Sequence, residues 1–473
     1  MSSAAIFDLD RTLIAGSSAS IVSRHLADAG ISAGHDIPFA DTLAEIYERF
    51  GENWLMMQPA KYAGRSAAGW DVSVVADACE KAAKEVAASL QPFAASVINE
   101  HRAAGRTLVL ATTSPEPFVR PIMEALDFDD VVCTKWRSHQ GKFTGELDGE
   151  FLWGRAKADG VVAWAEENNV KLAKSYAYSD SYFDSPLLDA VGHPVAVNPD
   201  LQLAATAVLK GWPIRHLDKS EGVAKIAGRE LQDWSRPFMR PELVAPYATF
   251  EFEGIENIPA EGPALLLFNH RSYFDSTVMG LLAAKAGRSI RGLGKKEVFD
   301  APIIGKMMKA VGGIRVERAS GSDEPLEKAA LALECGEVVM MAPQGTIPRG
   351  PAFFDPELKG RWGAAKLATM TGVPIIPIGL WNTEAVWPRS GRLPTITVTD
   401  RPLVSVKVGS PVEIGGKDLD TDTTTIMTAI SALLPPESQE HRTPTEEELA
   451  RTFPPGYKGD PNAEGDRRPG TDT

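Results

Sequence analysis

Short apolar runs separated by longer stretches of three-and-four periodicity recur along the whole chain, which predicts strands alternating with helices. Residues 4–9 (AAIFDL), 106–112 (RTLVLAT) and 174–179 (KSYAYS) read as buried strands. Between the first two, Ala and Glu dominate and apolar residues fall at helical spacing (Leu43, Ile46, Tyr47, Phe50), predicting a helical cap inserted at about 16–100. The pattern closes after Val195-Ala196-Val197-Asn198-Pro199, which bounds a first α/β domain at 1–215. A second α/β domain is expected over 247–434. Its strands are announced by the alternation from Tyr247 and by the runs at 264–268, 338–342 and 373–378. The join at 216–246 is charged at first, then carries Trp234, Phe238, Met239, Leu243 and Val244 with Arg236 and Arg240 between them. Such a linker suits a membrane interface or a packing seam. From residue 435 to 473 Pro, Glu, Gly and Asp replace the large aliphatics, predicting a disordered tail.

Composition narrows the function classes. With 44% apolar and 24% charged residues over 473 positions, the chain is ordinary multidomain globular material. A net charge of −14 repels phosphate backbones and excludes general nucleic-acid binding. Within that acidic total, residues 285–318 hold nine Lys or Arg against Glu297, Asp300 and Glu317, a local excess of +6. Three cysteines without a CxxC pair build no disulfide framework and suit a reducing cytoplasm. The longest run without a charged residue, 367–383, is 17 residues and contains Pro374 and Pro377, short of the ~20 that a spanning helix needs. The N-terminus enters a strand directly, so no secretory leader is expected.

Asp8-Leu9-Asp10-Arg11-Thr12-Leu13 follows the first strand and places two carboxylates, one residue apart, where α/β sheets build their sites. One carboxylate can attack phosphorus while the other protonates the leaving oxygen. Thr112 follows the second strand, Lys157 supplies a fixed cation, and Asp180 and Asp184 follow the third strand. Hard oxygen donors of this kind suit Mg²⁺. The ordered set resembles the haloacid-dehalogenase phosphatases, specifically the phosphoserine-phosphatase-like subclass with its cap between the first two motifs. That resemblance implies a Rossmann-like domain with a helical cap. It implies Asp8 as nucleophile, Asp10 as acid/base, and Mg²⁺ held by Asp8, the Asp10 carbonyl and Asp180. Thr112 and Lys157 would bind phosphate, with Asp184 supporting the lysine and the metal's waters. The glutamate that reads the phosphoserine ammonium in the subclass is replaced by Ser17, so a different phosphomonoester is expected.

In the second domain Asn269-His270-Arg271-Ser272-Tyr273-Phe274-Asp275 follows a strand, and a turn there lets Asp275 orient the His270 imidazole. A base with its orienter but no Ser or Cys nucleophile would act on a substrate hydroxyl. The segments 312–318 (GGIRVER), 343–346 (PQGT) and 373–378 (VPIIPI) follow in order. Together they resemble the glycerophospholipid acyltransferases of the 1-acylglycerol-3-phosphate type. The resemblance implies His270 as general base, Asp275 as its orienter, Arg318 as a phosphate contact with Gly345 and Thr346 beside it, and an acyl-CoA or acyl-carrier thioester as donor. Two positions depart from the family: Arg315 stands where an aromatic is usual, and Gln344-Gly345-Thr346-Ile347 lacks the arginine of the usual Glu-Gly-Thr-Arg. Arg349 is the nearest replacement in sequence.

The resulting expectation is a bifunctional, cytoplasmic, peripherally membrane-associated enzyme of phospholipid synthesis. It would acylate a lysophospholipid and hydrolyse a phosphomonoester with Mg²⁺. An acyltransferase with a regulatory hydrolase-like domain and a lipid-binding scaffold are the alternatives.

Overall fold

A computed structural model describes residues 2–31, 63–226, 228–317, 323–397 and 399–458. Leu43, Ile46, Tyr47 and Phe50 of the expected cap lie outside the described residues, as does Arg318. The chain divides into two units, 1–221 and 222–473.

In the first unit the strands β1 (Ala4–Phe7), β2 (Thr107–Pro115), β3 (Asp130–Thr134), β6 (Tyr176–Ser179), β7 (His193–Val197) and β8 (Ile214–Arg215) form one sheet in the order β3-β2-β1-β6-β7-β8. All its pairings are parallel. Every residue of β1 is buried, which is why its apolar run is continuous rather than alternating. The helices α3 (Ala94–Ala103), α4 (Glu116–Ala125), α5 (Arg155–Glu167), α6 (Ser185–Ala190) and α7 (Leu201–Lys210) lie between these strands in the chain. One face of the sheet carries Phe7, Leu110, Val97 and Val195; the other carries Ile6, Val109, Val161 and Leu203. Two helices before them, α1 (Ser18–Asp28) and α2 (Val72–Ala88), build a separate cluster from Val22, Leu26, Val75, Cys79 and Ala82. A hairpin of β4 (Trp136–His139) and β5 (Lys142–Leu147) completes it through Phe143, with Trp136 edge-on to Trp70. The cluster built on these helices therefore also takes in a hairpin from beyond residue 100. Residues 94–103 pack on the sheet, because Val97 and Ile98 face its core.

The second unit is a mixed sheet ordered β11-β17-β16-β12-β15-β13-β14. Its strands are β11 (Thr249–Glu253), β12 (Ala264–Phe268), β13 (Ile290–Lys295), β14 (Ile314–Val316), β15 (Val338–Met341), β16 (Ile375–Trp381) and β17 (Leu403–Val408). Strands β12 to β16 run parallel, and β17 pairs antiparallel with β16. The helices are α8 (Asp275–Lys285), α9 (Lys296–Asp300), α10 (Ile304–Ala310), α11 (Glu324–Glu334), α12 (Trp362–Thr371), α13 (Leu419–Ser431) and α14 (Glu446–Arg451). Leu266, Phe268, Val278 and Ile376 fill one side of the sheet; Leu265, Leu333, Leu367 and Ile430 fill the other.

Two expectations change here. Residues 222–246 are not a bare linker: β9 (Lys225–Ile226) and β10 (Arg229–Glu230) pair, and Glu230 is buried against Arg291 with Nη1–Oε2 at 2.8 Å. Glu337 closes on the other side of the same guanidinium at 2.6 Å, so a fully buried cation is held between two carboxylates. The expected tail is ordered up to residue 458. A Thr445–Glu448 capping box starts α14, and the buried Thr452 hydroxyl accepts from the Gly350 N–H at 2.8 Å. Local capping and long-range hydrogen bonds make up for a segment whose one large aliphatic is Leu449.

Among the described residues no helix is long and apolar enough to cross a membrane.

Candidate functional site

The first candidate site forms where β1 ends. Phe7 is level with Leu110 and Tyr178, so Asp8, Thr112 and Asp180 arrive at the same end of three adjacent parallel strands. Arg11 turns the chain with φ 61, and the Thr12 hydroxyl accepts from the Asp180 N–H at 3.0 Å, tying the first loop to the third. Lys157, fully buried on α5, sets its ammonium 3.0 Å from Asp8 Oδ1 and 2.8 Å from Asp184 Oδ2. The Ser179 hydroxyl donates to the same Asp184 oxygen at 2.7 Å. The Arg11 guanidinium lies 3.1 Å from Asp180 Oδ2. Asp10 Oδ1 accepts the Ser18 N–H at the start of α1 at 2.5 Å; burial nonetheless pushes this carboxyl above the usual range. Thr112 is buried, and its hydroxyl accepts from the Ser114 N–H at 3.2 Å.

Thus Lys157 joins Asp8 to Asp184, Arg11 and Thr12 hold Asp180, and Thr112 lies at the same sheet edge. Arg11, Thr12 and Ser179 add contacts that the motif alone did not assign. The donor set fits a hydrated Mg²⁺. Asp184 Oδ1 is buried with no hydrogen-bond partner among the described residues, an acceptor that a metal-bound water would satisfy. No cluster of three or more His, Cys, Asp or Glu side chains placed for a metal occurs among the described residues. Two carboxylates and the Asp10 carbonyl, completed by waters and phosphate, do not require one.

The second candidate site forms where β12 ends. Asn269 is buried and exchanges two hydrogen bonds with the backbone of Leu380, at 2.8 and 2.7 Å, fixing the strand's exit against β16. The His270 N–H donates to Gln344 Oε1 at 2.6 Å. Its ring Nδ1 lies 2.7 Å from Oδ2 of the fully buried Asp275. That oxygen also accepts the N–H groups of Arg271 and Ser272 at 2.7 and 2.9 Å, and Oδ1 accepts the Thr383 hydroxyl at 2.6 Å. An oxygen already accepting two backbone N–H groups accepts from the ring as well, so Nδ1 is the donor and Nε2 presents its lone pair. Nε2 has no hydrogen bond among the described residues, and the side chain is 23% exposed.

Beside it, Arg271 is gripped by Glu384, with both Nε–Oε distances at 3.0 Å, and is sandwiched between Phe353 and Trp381 at 4.5 and 4.4 Å. Thr383 and Glu384 stand two and three residues past the end of β16, so their place at a strand end was the signal that could have found them. Gln344 is buried, and Gly345 adopts φ +69, where an added Cβ would stand 3.0 Å from Arg361 Cδ. Arg361 therefore covers the Gly345-Thr346 turn. Arg349, the nearer arginine in sequence, instead lies 5.0 Å over the Tyr457 ring.

Known proteins match each half separately. The haloacid dehalogenase-like hydrolase profile matches residues 5–189, and the acyltransferase profile matches residues 249–381. An inhibition of morphological differentiation protein of Streptomyces azureus is 35% identical over 222 residues, 45% of this chain and 77% of the relative. A phosphoserine phosphatase of Mycobacterium tuberculosis is 32% identical over 234 residues, 48% of this chain and 74% of the relative. A chloroplastic 1-acyl-sn-glycerol-3-phosphate acyltransferase of Arabidopsis thaliana is 30% identical over 149 residues. That match spans 31% of this chain and 39% of the relative.

Proposed function

From a chain that belongs to the haloacid dehalogenase-like hydrolases in its first half and carries an acyltransferase domain in its second, we infer an enzyme with two activities in glycerophospholipid chemistry. The second unit transfers an acyl group from a CoA or carrier thioester to the hydroxyl of a lysophospholipid such as 1-acyl-sn-glycerol-3-phosphate. The first unit hydrolyses a phosphomonoester. The observation that supports this reading is that Asp8, Lys157 and Asp184 gather past the C-terminal end of β1, and His270 with its carboxylate partner Asp275 past the C-terminal end of β12.

In the second unit His270 Nε2 takes the proton of the acceptor hydroxyl as its oxygen attacks the thioester carbonyl. The tetrahedral adduct then expels the thiolate, which recovers that proton from the imidazolium. Asp275, saturated by four donors, keeps the ring in the required tautomer throughout. Arg361 replaces the arginine absent from the third motif as the contact for the acceptor's phosphate. In the first unit an Asp8 oxygen displaces the alcohol from phosphorus, and Asp10 gives the leaving oxygen its proton. Water, losing a proton to Asp10, then cleaves the acyl phosphate. Lys157 steers Asp8 and offsets the charge of the phosphoryl oxygens. Mg²⁺, held by Asp8, Asp180 and the Asp10 carbonyl, would supply further charge neutralisation. Ser17 caps α1, its hydroxyl accepting from Ala19 N–H at 3.3 Å, and offers no carboxylate to an amino-acid substrate.

The test is crossed. Purified protein is given labelled acyl-CoA with a panel of lysophospholipids and, separately, a general phosphomonoester with Mg²⁺. His270→Ala should abolish only the first activity and Asp8→Asn only the second. Equal rates in variant and parent, in either assay, overturn the corresponding half.

A further inference from the structure

The excursion between β13 and β14 leaves the sheet at the same edge as His270, because β12, β13 and β15 are parallel neighbours. It consists of α9, a turn and α10, and its orientation is locked. A Cβ on Gly305 would fall 1.9 Å from the Phe299 carbonyl oxygen, and one on Gly313 would fall 2.8 Å from that of Met308. The glycine-bearing face of α10 is therefore pressed against buried Phe299. The opposite face carries Ile303, Ile304 and Met307, which are 82, 52 and 58% exposed. Large aliphatics held outward by backbone contact are not a side chain caught between positions. They form an apolar surface that the fold maintains.

Charge identifies what covers it. Lys306 and Lys309 are exposed on the same short helix and make no ion pair among the described residues. The other charges facing this excursion are Lys295, the Lys296–Glu317 pair at 2.6 Å, the Arg315–Asp300 pair at 3.4 Å, and exposed Glu297. The end of α10 is stitched to the segment before the domain by Ala224 N–H to Ala310 O at 2.8 Å and by Gln232 Nε2 to Val311 O at 2.9 Å. That segment exposes Trp234. Aliphatic tips among lysines, with an aromatic nearby, on a chain of net charge −14, complement an anionic lipid surface.

We propose that residues 302–309 dock into an anionic bilayer, Ile303, Ile304 and Met307 entering the acyl boundary and Lys306 and Lys309 meeting lipid phosphates. This rests on the acyl-transfer reading for its purpose. The docked helix brings the His270 edge to acceptors that never leave the membrane.

The experiment is sedimentation of the full chain with mixed phosphatidylglycerol–phosphatidylcholine vesicles and with pure phosphatidylcholine vesicles. Ile303→Gln/Met307→Gln should weaken binding to mixed vesicles about tenfold or more, and Lys306→Ala/Lys309→Ala should remove most of its salt sensitivity. Acyl transfer between short-chain, water-soluble substrates should be unchanged in both variants, which certifies their fold. Parental vesicle binding by the Gln variant overturns the proposal, as does a patch-dependent dimer in the absence of lipid. If vesicle binding depends on the patch while no variant or parent transfers acyl groups, the surface stands and the acyltransferase reading falls.

Discussion

The two candidate sites occupy equivalent places, just past the C-terminal ends of central parallel strands, yet they are electrostatic opposites. The first gathers Asp8, Asp10, Asp180 and Asp184 around Lys157 and Arg11, four carboxylates to two cations among the described residues. Its orphaned Asp184 Oδ1 and its buried, proton-seeking Asp10 are signs of an unfinished site. The second balances one carboxylate with one imidazole, and every oxygen of Asp275 is used. A phosphoryl site must admit a dianion, so its charges are left for a metal and substrate to complete. A general-base site loses function if its tautomer wanders, so it is finished in advance.

The sharpest break of this contrast is the crossed pair of variants. Asp8→Asn should lower phosphomonoester hydrolysis by about 10³-fold or more, since the nucleophile itself is removed. His270→Ala should cost acyl transfer about 10²–10⁴-fold. Neither should touch the other assay. Next, Arg361→Leu should raise KM for a phosphate-bearing acceptor about ten- to hundredfold, through the loss of a charge-assisted contact, while kcat on a phosphate-free alcohol stays put. Arg349→Leu should do neither. If Arg349 rather than Arg361 controls that KM, the turn around Gly345 rearranges on binding.

A smaller effect separates the sites thermodynamically. Mg²⁺ at about a hundred times its dissociation constant should stabilise the first unit by about 2.7 kcal/mol in thermal unfolding, and Asp180→Asn should erase the gain. The second unit's transition should not move. A last effect, of similar size, concerns His101, buried beneath the first sheet. Burial, then Arg106 and Arg215, lower its pKa from 6.5 to about 4. Arg106 donates to Nδ1 at 3.1 Å, so the neutral ring donates from Nε2 to the Tyr178 hydroxyl at 2.7 Å. The unfolded ring gains a proton that the folded ring refuses. This contribution is therefore complete above pH 6.5 and is lost as the pH falls toward 4. Urea titrations at both ends of that window should show a flatter pH dependence for His101→Gln; an identical slope would remove His101 from the account.

What was legible in the sequence followed from chain-local physics. Asp8 and Asp10 are adjacent to a fully buried strand, and the His270–Asp275 spacing spans one turn into a helix, so each could be placed without knowing the rest. Lys157 and Asp184 were legible through the order of the motifs. What escaped was set by tertiary distance. Thr383 reaches Asp275 across 108 residues and Gln344 reaches His270 across 74, and a polar residue after a strand announces a site but not its partner. Arg349 was nearer than Arg361 along the chain and farther from the turn in space. The hairpin 136–147 joined the cap because Phe143 completes the α1–α2 core, a pairing no periodicity encodes.

The clamp on Arg291 also marks where the second unit begins along the chain. Glu230 lies upstream of the first strand of the main second sheet, yet the guanidinium it neutralises is inside that sheet. Any split of the gene downstream of residue 230 would leave a buried cation facing Glu337 alone, at a penalty of about 3–5 kcal/mol. The natural seam for separating, swapping or recombining the halves is therefore at 221/222, some two dozen residues before the point where alternation first becomes visible.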